Sequence, residues 1–324
     1  MAETSSNRLL RVRLTMTDVS ADCHLPIPGG GRILDGCEFV VNAAWDEPCD
    51  FWIVLGFAFP EERAVVAPQN TLFICGEPLE KKRFPLGFYR QFNHVVDTHN
   101  YSRHPRLELH AQCLGWGVGG LYDPLAEMPR PDKINRVGVV CSSTAQTPGQ
   151  RKRLRFLAYV KEALGDQIMH FGRGFQPITN KLDGILPYRY QLVLENSVSD
   201  HYWTEKLADA YLGWGFPIYV GCPNVDQYFS PDAFHRVDLD HPQEAVALIR
   251  RLLATSESPQ EIEAVRAARM QVLTEYNLIF RCAALARRHH QKAPKQTVLI
   301  RNYKYFRKRS LPGRLLSRLN SLCS

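Results

Sequence analysis

A short polar segment with the chemistry to bind an anion follows an apolar stretch near the middle of the chain. Tyr190–Leu194 is predicted to form a strand, and Glu195, Asn196 and Ser197 follow it directly. In an open parallel sheet, ligands bind in the crevice beyond the carboxyl ends of the strands. These three side chains are therefore predicted to face a ligand.

The next residues predict a helix N-terminus with charged groups in its first turns. Asp200 is expected to cap this helix, which carries Tyr202, Glu205 and Lys206 near its start. A helix N-terminus beside a lysine can hold phosphate, because free backbone N–H groups and the positive end of the helix dipole face the anion. Glu205 is predicted to bind the hydroxyl groups of a ribose at the same place.

Two strings in this region closely resemble a known donor-binding signature. They are ENSxxxxYxTEKL, which begins at Glu195, and GxPIYxGxPNVxxYFxPDAF, which begins at Gly215. The signature is that of the family 10 glycosyltransferases, the α1,3/α1,4-fucosyltransferases. The resemblance is close over Tyr188–Asp240 and looser from Thr71 to Leu285.

The resemblance implies a fold, a donor and a set of site residues. Enzymes of this family have the α/β GT-B fold, with two Rossmann-like domains facing a central cleft. They use GDP-fucose as donor substrate, with no separate cofactor, and they invert the anomeric centre. The implied donor-binding residues in this region are Glu195, Asn196, Ser197, Tyr202, Thr204, Glu205 and Lys206.

Positive side chains are needed to hold the departing diphosphate, and Lys206 is the first choice. The resemblance also implies a phosphate-binding arginine near the start of the helix that follows Ser143. The run there is RKRLR, in which Arg153 is the predicted ligand and Arg151 the alternative. Arg173 is a third candidate, because it follows a predicted strand and the glycines on both sides permit close approach to a ligand.

Fucosyl transfer also needs a carboxylate that takes the proton of the acceptor hydroxyl group. The predicted strand Thr71–Cys75 ends in Gly-Glu-Pro, which places Glu77 just past a strand end in the N-terminal domain. This element resembles the Glu-Ser-Pro element of fucosyltransferases, in which a glutamate is the proposed base, although only Glu-Pro is present here. Glu77 is therefore the predicted base, and Glu80 is the alternative.

The sequence gives no indication of a metal site. The nine cysteines show neither a CxxC motif nor a zinc-ligand spacing with histidine, and we expect them to be reduced thiols. Asp238 and Asp240 form an Asp-x-Asp motif, but they end the last strand of the resemblance, and GT-B enzymes do not need the metal that such motifs bind. His289 and His290 lie in a basic run and are expected to be solvated.

Alternating apolar runs and helical patterns predict two α/β domains. We expect an N-terminal acceptor-side domain at 1–132 and a donor domain at 133–291, with the polar, proline-rich Glu127–Lys133 between them. A basic tail at 292–324 follows. The long segment Pro259–His290 is predicted to be helical.

Charge is distributed unevenly along the chain. The net charge is +7, yet residues 276–324 hold 12 lysines and arginines and no acid. No segment resembles a signal peptide, and no apolar run approaches the roughly 20 residues that span a membrane. We therefore expect a cytoplasmic protein.

The tail is predicted to contain a basic amphipathic helix. Its apolar stripe consists of Leu311, Leu315, Leu319 and Leu322. Such a helix can lie on an anionic membrane surface, which would make the protein peripheral to the inner face of the membrane. The alternative is that the tail packs on the N-terminal domain.

Two other functions are compatible with parts of the sequence. The same fold could use a different nucleotide-sugar donor, and the cationic tail could bind nucleic acid. The tail contains no recognised nucleic-acid module and the rest of the chain is mildly acidic, so we expect no nucleic-acid partner. The acceptor is expected to be a glycan or a lipid-linked saccharide.

Overall fold

The computed structural model describes residues 8–307 except 17–19, 45, 57–60 and 114. The strands are β1 Leu10–Met16, β2 Ile33–Leu34, β3 Cys37–Val41, β4 Phe51–Leu55, β5 Glu62–Val66, β6 Thr71–Ile74, β7 His94–Asp97, β8 Leu107–Leu109, β9 Ile134–Val140, β10 Ile168–Phe171, β11 Tyr188–Leu194, β12 Phe216–Val220, β13 His235–Arg236 and β14 Gln296–Ile300. The helices are α1 Leu86–Tyr89, α2 Tyr122–Glu127, α3 Pro148–Leu164, α4 Glu205–Leu212, α5 Pro242–Leu253, α6 Pro259–Leu273, α7 Leu278–His289 and α8 Tyr303–Arg307.

The chain forms two compact units. Among the described residues, unit 1 contains 8–25, 31–112 and 279–307, and unit 2 contains 26–30 and 113–278. The predicted boundary at 132/133 thus lies inside unit 2, where side chains of other unit 2 segments hold the residues before it. For example, Trp214 Nε1 donates to the carbonyl oxygen of Met128 at 3.2 Å. Residues 279–291 belong to unit 1 instead of the predicted donor domain.

Unit 1 is built on a sheet with the strand order β2-β3-β1-β4-β6-β7-β8. All of its pairings are parallel except that of β2 with β3. The central strand β4 is buried along its whole length, as expected for a parallel strand covered on both faces. Aromatic rings, including Phe73, Phe84 and Phe88, fill much of the core on one side.

The first part of the predicted tail is an integral element of unit 1. Strand β14 pairs with β5 in an antiparallel two-stranded sheet, and the Ile300 side chain is fully buried in the aromatic core. Lys295 Nζ also lies 2.7 Å from the buried carboxylate of Asp50. The predicted leucine stripe lies outside the described residues.

Unit 2 is built on a fully parallel sheet with the order β10-β9-β11-β12-β13. In chain order this is 2-1-3-4-5, so the direction of winding reverses between β9 and β11. Two α/β units built on parallel strands confirm the predicted fold class. The predicted helical segment Pro259–His290 is two helices, because the chain leaves helical geometry at Thr274 and the buried Asn277 side chain donates to the carbonyl oxygen of Pro26.

No helix in the described part of the chain has the length and apolar character needed to cross a membrane.

Candidate functional site

The reversal between β9 and β11 in unit 2 gathers most of the predicted donor-binding residues. Open sheets of this order bind ligands at that position, beyond the carboxyl ends of the two strands. Glu195 follows β11 directly, and its backbone N–H continues the sheet by donating to Val220. The start of α3 approaches so closely that a Cβ on Gly149 would lie 2.4 Å from the carbonyl oxygen of Asn196. Glycine is therefore required at this contact.

Glu195 fixes the start of α4. Its buried carboxylate accepts hydrogen bonds from the backbone N–H and the hydroxyl group of Thr204, both at 2.8 Å. Thr204 is the N-cap of the helix, and its hydroxyl oxygen accepts from the backbone N–H of Lys206. The expectation that Asp200 caps this helix is wrong, because the carboxylate that fixes the cap comes from the end of the neighbouring strand.

This arrangement also corrects the prediction of free N–H groups at the helix start. The backbone N–H groups of Thr204, Lys206 and Leu207 already have acceptors. The negative charge at the positive end of the α4 dipole is supplied by Glu195. An anion would therefore be held mainly by side-chain cations.

Motif residues that sequence reasoning left without a role support the loop between β11 and α4. Asn224 Oδ1 accepts a hydrogen bond from the backbone N–H of His201 at 2.8 Å, and the His201 ring contacts the Tyr228 hydroxyl group at 2.6 Å. Trp203 packs edge-on against Tyr228 and Tyr276. The signal for these roles was present in the quoted motif, which includes Asn224 and Tyr228.

Lys206 lies between two carboxylates. Its Nζ is 3.0 Å from Glu205 Oε1 and 3.4 Å from Glu195 Oε2. Burial lowers the pKa of Lys206, but the two carboxylates outweigh burial and the pKa is raised. Burial raises the pKa of Glu205, but Lys206 and Lys181 outweigh it and the pKa is lowered. Lys206 and Glu205 are therefore both charged at neutral pH. For Glu195, burial outweighs the effect of its partners, and its pKa is raised.

Arg153 is a buried cation without a counter-charge. Its side chain is 3% exposed, its Nε has no hydrogen-bond partner, and no carboxylate of the described residues forms an ion pair with it. Burial raises the pKa of the Cys141 thiol at the end of β9, and Arg153 and Lys206 oppose that rise. Both cations therefore lie close to this strand end.

The alternative arginine of the same helix has a different environment. Arg151 is exposed, and its Nη1 donates to the carbonyl oxygens of Ala145 and Gln146 at 3.1 and 3.0 Å. Arg155 is also exposed. The helix thus turns Arg153 alone of these three arginines into the protein.

A cavity of about 660 Å³ lies beside this region, also within unit 2. Arg173 and Ser142 line it at the ends of β10 and β9, and Lys181 and a glycine-rich loop at 117–120 line it elsewhere. The fully buried Asp209 holds this loop by accepting from the backbone N–H groups of Gly117 and Val118, and it pairs with Lys181. Sequence reasoning missed Asp209, although an acid between apolar residues of a helix was a signal.

The remaining predicted donor residues lie in the same loop. Asn196 is half-buried and its Oδ1 has no hydrogen-bond partner among the described residues. The side chains of Ser197 and Tyr202 are buried. Tyr202 precedes α4, since the helix begins at Glu205.

Glu77, the predicted base, lies in unit 1, three residues beyond the end of β6. It is 7% exposed, and Lys81 Nζ donates to its Oε1 at 2.8 Å. The alternative residue Glu80 is exposed. Of these two glutamates, the structure therefore encloses only Glu77 at the carboxyl end of this sheet.

Cys75, Asp97 and His99 meet at the same edge of unit 1, with possible metal-ligating atoms within 4.8 Å of one another. Asp97 Oδ1 lies 3.3 Å from His99 Nε2, and the backbone N–H of Tyr101 donates to His99 Nδ1 at 3.3 Å. Asp97 is fully buried and His99 is partly exposed, so this edge places a carboxylate beside an imidazole ring without a hydrogen bond from Nε2 to any described residue.

The two aspartates of the Asp-x-Asp motif are exposed and paired locally. Asp238 contacts the His241 ring at 3.3 Å, and Asp240 pairs with Lys152 at 2.5 Å. The expectation that His289 is solvated is wrong. Its ring is half-buried against His94, with centroids 4.1 Å apart.

Comparisons with known proteins give one extended match in sequence. The profile described as "Glycosyltransferase family 10 (fucosyltransferase) C-term" matches residues 132–299, which is 168 of the 324 residues. A stretch of 76 residues is 37% identical to an "Alpha-(1,3)-fucosyltransferase FucT" of Helicobacter pylori. That stretch covers 23% of this chain and 16% of the relative, so it spans about a sixth of the relative's length.

Solved structures give weaker similarities. A structure described as "Crystal Structure of alpha1,3-Fucosyltransferase" has a TM-score of 0.45 and 14% identity, covering 86% of this chain and 94% of that one. Another, described as "Crystal Structure of alpha1,3-Fucosyltransferase with GDP-fucose", has a TM-score of 0.47 and 15% identity, covering 84% and 93%.

Proposed function

The chain belongs to glycosyltransferase family 10, the fucosyltransferase family, and from that membership we propose that it transfers L-fucose from GDP-fucose to a hydroxyl group of a glycan or lipid-linked saccharide. The observation that carries the proposal is the buried, unpaired Arg153 at the β9/β11 reversal of unit 2. A buried cation is costly without a counter-charge. The diphosphate of the donor would supply that charge.

Side chains of unit 2 hold the donor in this proposal. Arg153 and Lys206 bind the diphosphate, and Arg173 contributes from the cavity wall. Glu205 accepts hydrogen bonds from the ribose hydroxyl groups. Glu195 and Thr204 position the start of α4, and so act on the donor through Lys206. Asn196, Ser197 and Tyr202 complete the loop around the donor.

The reaction inverts the anomeric carbon. The acceptor oxygen forms a bond to C1 of fucose on the face opposite the nucleotide, and the bond from C1 to the diphosphate oxygen breaks. GDP leaves with that electron pair, stabilised by Arg153 and Lys206, through an oxocarbenium-like transition state. The hydroxyl proton passes to the carboxylate of Glu77. These steps involve no metal ion.

Calorimetry with GDP, UDP and inorganic pyrophosphate tests the donor assignment. GDP should bind more tightly than UDP, and a preference for UDP would instead identify another nucleotide-sugar donor. Product analysis by mass spectrometry, after incubation with GDP-fucose and an oligosaccharide panel, tests the transfer. Absence of GDP binding would overturn the proposal.

Two variants separate the roles of adjacent residues. Lys206→Ala should weaken the binding of both GDP and pyrophosphate roughly 10- to 150-fold, because it removes a charge-assisted bond to phosphate. Glu205→Gln should weaken the binding of GDP but leave that of pyrophosphate nearly unchanged. Lys152→Ala, which removes a partly exposed lysine of the same unit that pairs with Asp240, is the matched control. Equal GDP affinity of Lys206→Ala and the parent would remove Lys206 from the site.

A further inference from the structure

A second cavity, of about 290 Å³, lies within unit 1 at the amino ends of its strands. Its polar lining consists of His94, Arg106, Glu108, Arg288 and His289. His94 is the first residue of β7 and lies opposite Leu72 of β6. Because Glu77 lies beyond the other end of β6, this cavity is separate from the proposed catalytic base.

The charges around this cavity do not cancel. Arg281 and Arg288 both pair with the single carboxylate of Glu108. Arg106 donates to the side-chain oxygen of Asn93, a neutral partner. No other carboxylate among the described residues forms an ion pair with these three arginines. An excess of positive charge therefore remains, even with the negative end of the α7 dipole nearby.

His94 supplies a buried polar atom without a partner. Its side chain lines the cavity, the residue is 8% exposed, and its Nε2 has no hydrogen-bond partner. The ring packs at a tilt against His289, whose Nε2 accepts from Arg288 Nε at 3.1 Å. A buried polar group left unpaired costs free energy that a bound ligand can recover.

We propose that this cavity binds a phosphate group, carried either by a free phosphate ester or by a lipid headgroup. Arginine guanidinium groups form paired hydrogen bonds with phosphate oxygens, and Arg106 and Arg288 supply two such groups. His94 donates a further hydrogen bond from Nε2. The volume equals that of about ten water molecules in the liquid, which leaves room for an organic group on the phosphate.

Nuclear magnetic resonance titration of the full chain with inorganic phosphate tests the site. Phosphate should shift the imidazole resonances of His94 and His289, and the pKa of His94 should rise as the anion binds. The double variant Arg106→Met/Arg288→Met should bind phosphate at least about tenfold more weakly. Arg287→Met, which removes an exposed arginine of the same helix, should bind as the parent does.

Groups on every neighbouring element affect this titration. They are Arg106 and His104 before β8, Glu108 on β8, and Arg281, Arg288 and His289 on α7. Arg153→Met removes the proposed donor-binding cation of unit 2. If phosphate still shifts the His94 resonances in that variant, the anion binds in unit 1 independently of the donor site. This result distinguishes the phosphate site from the proposed transferase activity.

Two further ligands identify the source of the phosphate. Glycerol phosphate represents the free ester, and phosphatidylcholine vesicles containing phosphatidic acid represent the lipid. A headgroup site predicts that vesicle binding falls in the double variant and not in Arg287→Met. A free-ester site predicts binding of glycerol phosphate with equal vesicle binding by all variants. Unchanged His94 resonances with phosphate and both ligands would overturn the proposal, as would equal binding by a folded double variant.

Discussion

The carboxyl edges of the two sheets compensate buried charge in different ways. In unit 2, Glu195 pairs with Lys206 and Asp209 pairs with Lys181, and Arg153 remains as a cation without a carboxylate. In unit 1, the fully buried Asp97 has a histidine and hydrogen-bond donors around it. No lysine or arginine among the described residues forms an ion pair with Asp97.

This difference matches the two tasks of the proposed glycosyl transfer. A site for a diphosphate needs cations held in place, and carboxylates such as Glu195 position them without being the ligands. A site that accepts a proton needs a carboxylate that is not locked to a buried cation. Glu77 meets this condition, since its partner Lys81 is 60% exposed.

The largest expected effect is that of Glu77→Gln on turnover. The amide cannot take the acceptor proton, so the turnover rate should fall about 10²–10⁴-fold while GDP affinity stays unchanged. Steady-state kinetics and calorimetry measure the two quantities. Glu80→Gln, at an exposed position in the same loop, is the control. A loss of GDP affinity in Glu77→Gln would make Glu77 a binding residue.

The C-terminal segment allows a second test, which separates packing from membrane binding. Ending the chain after Arg307 removes Lys308, Arg309, Arg314 and Arg318. Each contributes on the order of 1 kcal/mol near an anionic surface, so binding to anionic vesicles at low salt should fall by up to about 10³-fold. We expect folding and activity on a soluble acceptor to be retained. Equal vesicle sedimentation of both chains would contradict a membrane role.

A cut after Pro294 should behave differently. It removes β14 and the buried Ile300, and loss of a buried isoleucine alone costs about 2–5 kcal/mol. Thermal unfolding should show a destabilised unit 1 for this shorter chain. A melting temperature equal to that of the parent would show that the strand pairing contributes little.

The sequence predicted the buried strands well, because continuous apolar runs signal strands that are covered on both faces. The predicted strands Thr71–Cys75 and Tyr190–Leu194 agree to within two residues with β6 and β11 of the structure. Strand β14 was missed, since its register depends on β5, more than 200 residues earlier in the chain. The strand is a short apolar run, QTVLI, and such a run carries no local sign of which strand it pairs with.

The site was predictable where one motif contains neighbours in space. The loop from Glu195 to Lys206 is continuous in sequence, and its residues do gather at one strand end. The cap was misassigned, because the choice of Thr204 over Asp200 depends on a carboxylate that only the fold brings near. Asp209 and the glycine-rich loop that it holds are 91 residues or more apart in sequence. That separation explains why the pattern alone did not connect them.

Arg153→Met should have the next largest effect. It tests whether the unpaired cation of unit 2 binds the donor. Loss of a charge-assisted bond to phosphate should weaken GDP binding roughly 10- to 150-fold. Because the parent buries an unpaired cation, the variant should also be at least as stable as the parent in the absence of nucleotide. Arg155→Met, at an exposed position on the same helix, is the matched control for calorimetry and melting. Destabilisation without loss of GDP affinity would assign Arg153 a structural role.

The smallest expected effect concerns pH and His94 in unit 1. Burial, together with the neighbouring His289, Arg106, His104 and Arg288, lowers the pKa of His94 from 6.5 to about 4. The unfolded chain therefore binds a proton near pH 6.5 that the folded chain does not bind until about pH 4. Stability should thus fall as pH decreases through this window, with His94 contributing on the order of 1–3 kcal/mol.

His94→Gln tests this contribution, because glutamine keeps a polar side chain but does not titrate. Urea unfolding between pH 7 and pH 4 should show a smaller loss of stability for His94→Gln than for the parent. His24→Gln, at an exposed position of the same unit, should keep the parent's pH dependence. Inorganic phosphate should reduce the parent's loss of stability at low pH if the cavity binds the anion, since binding favours the protonated ring. Identical pH profiles for the parent and His94→Gln would show that His94 is not kept neutral by its surroundings.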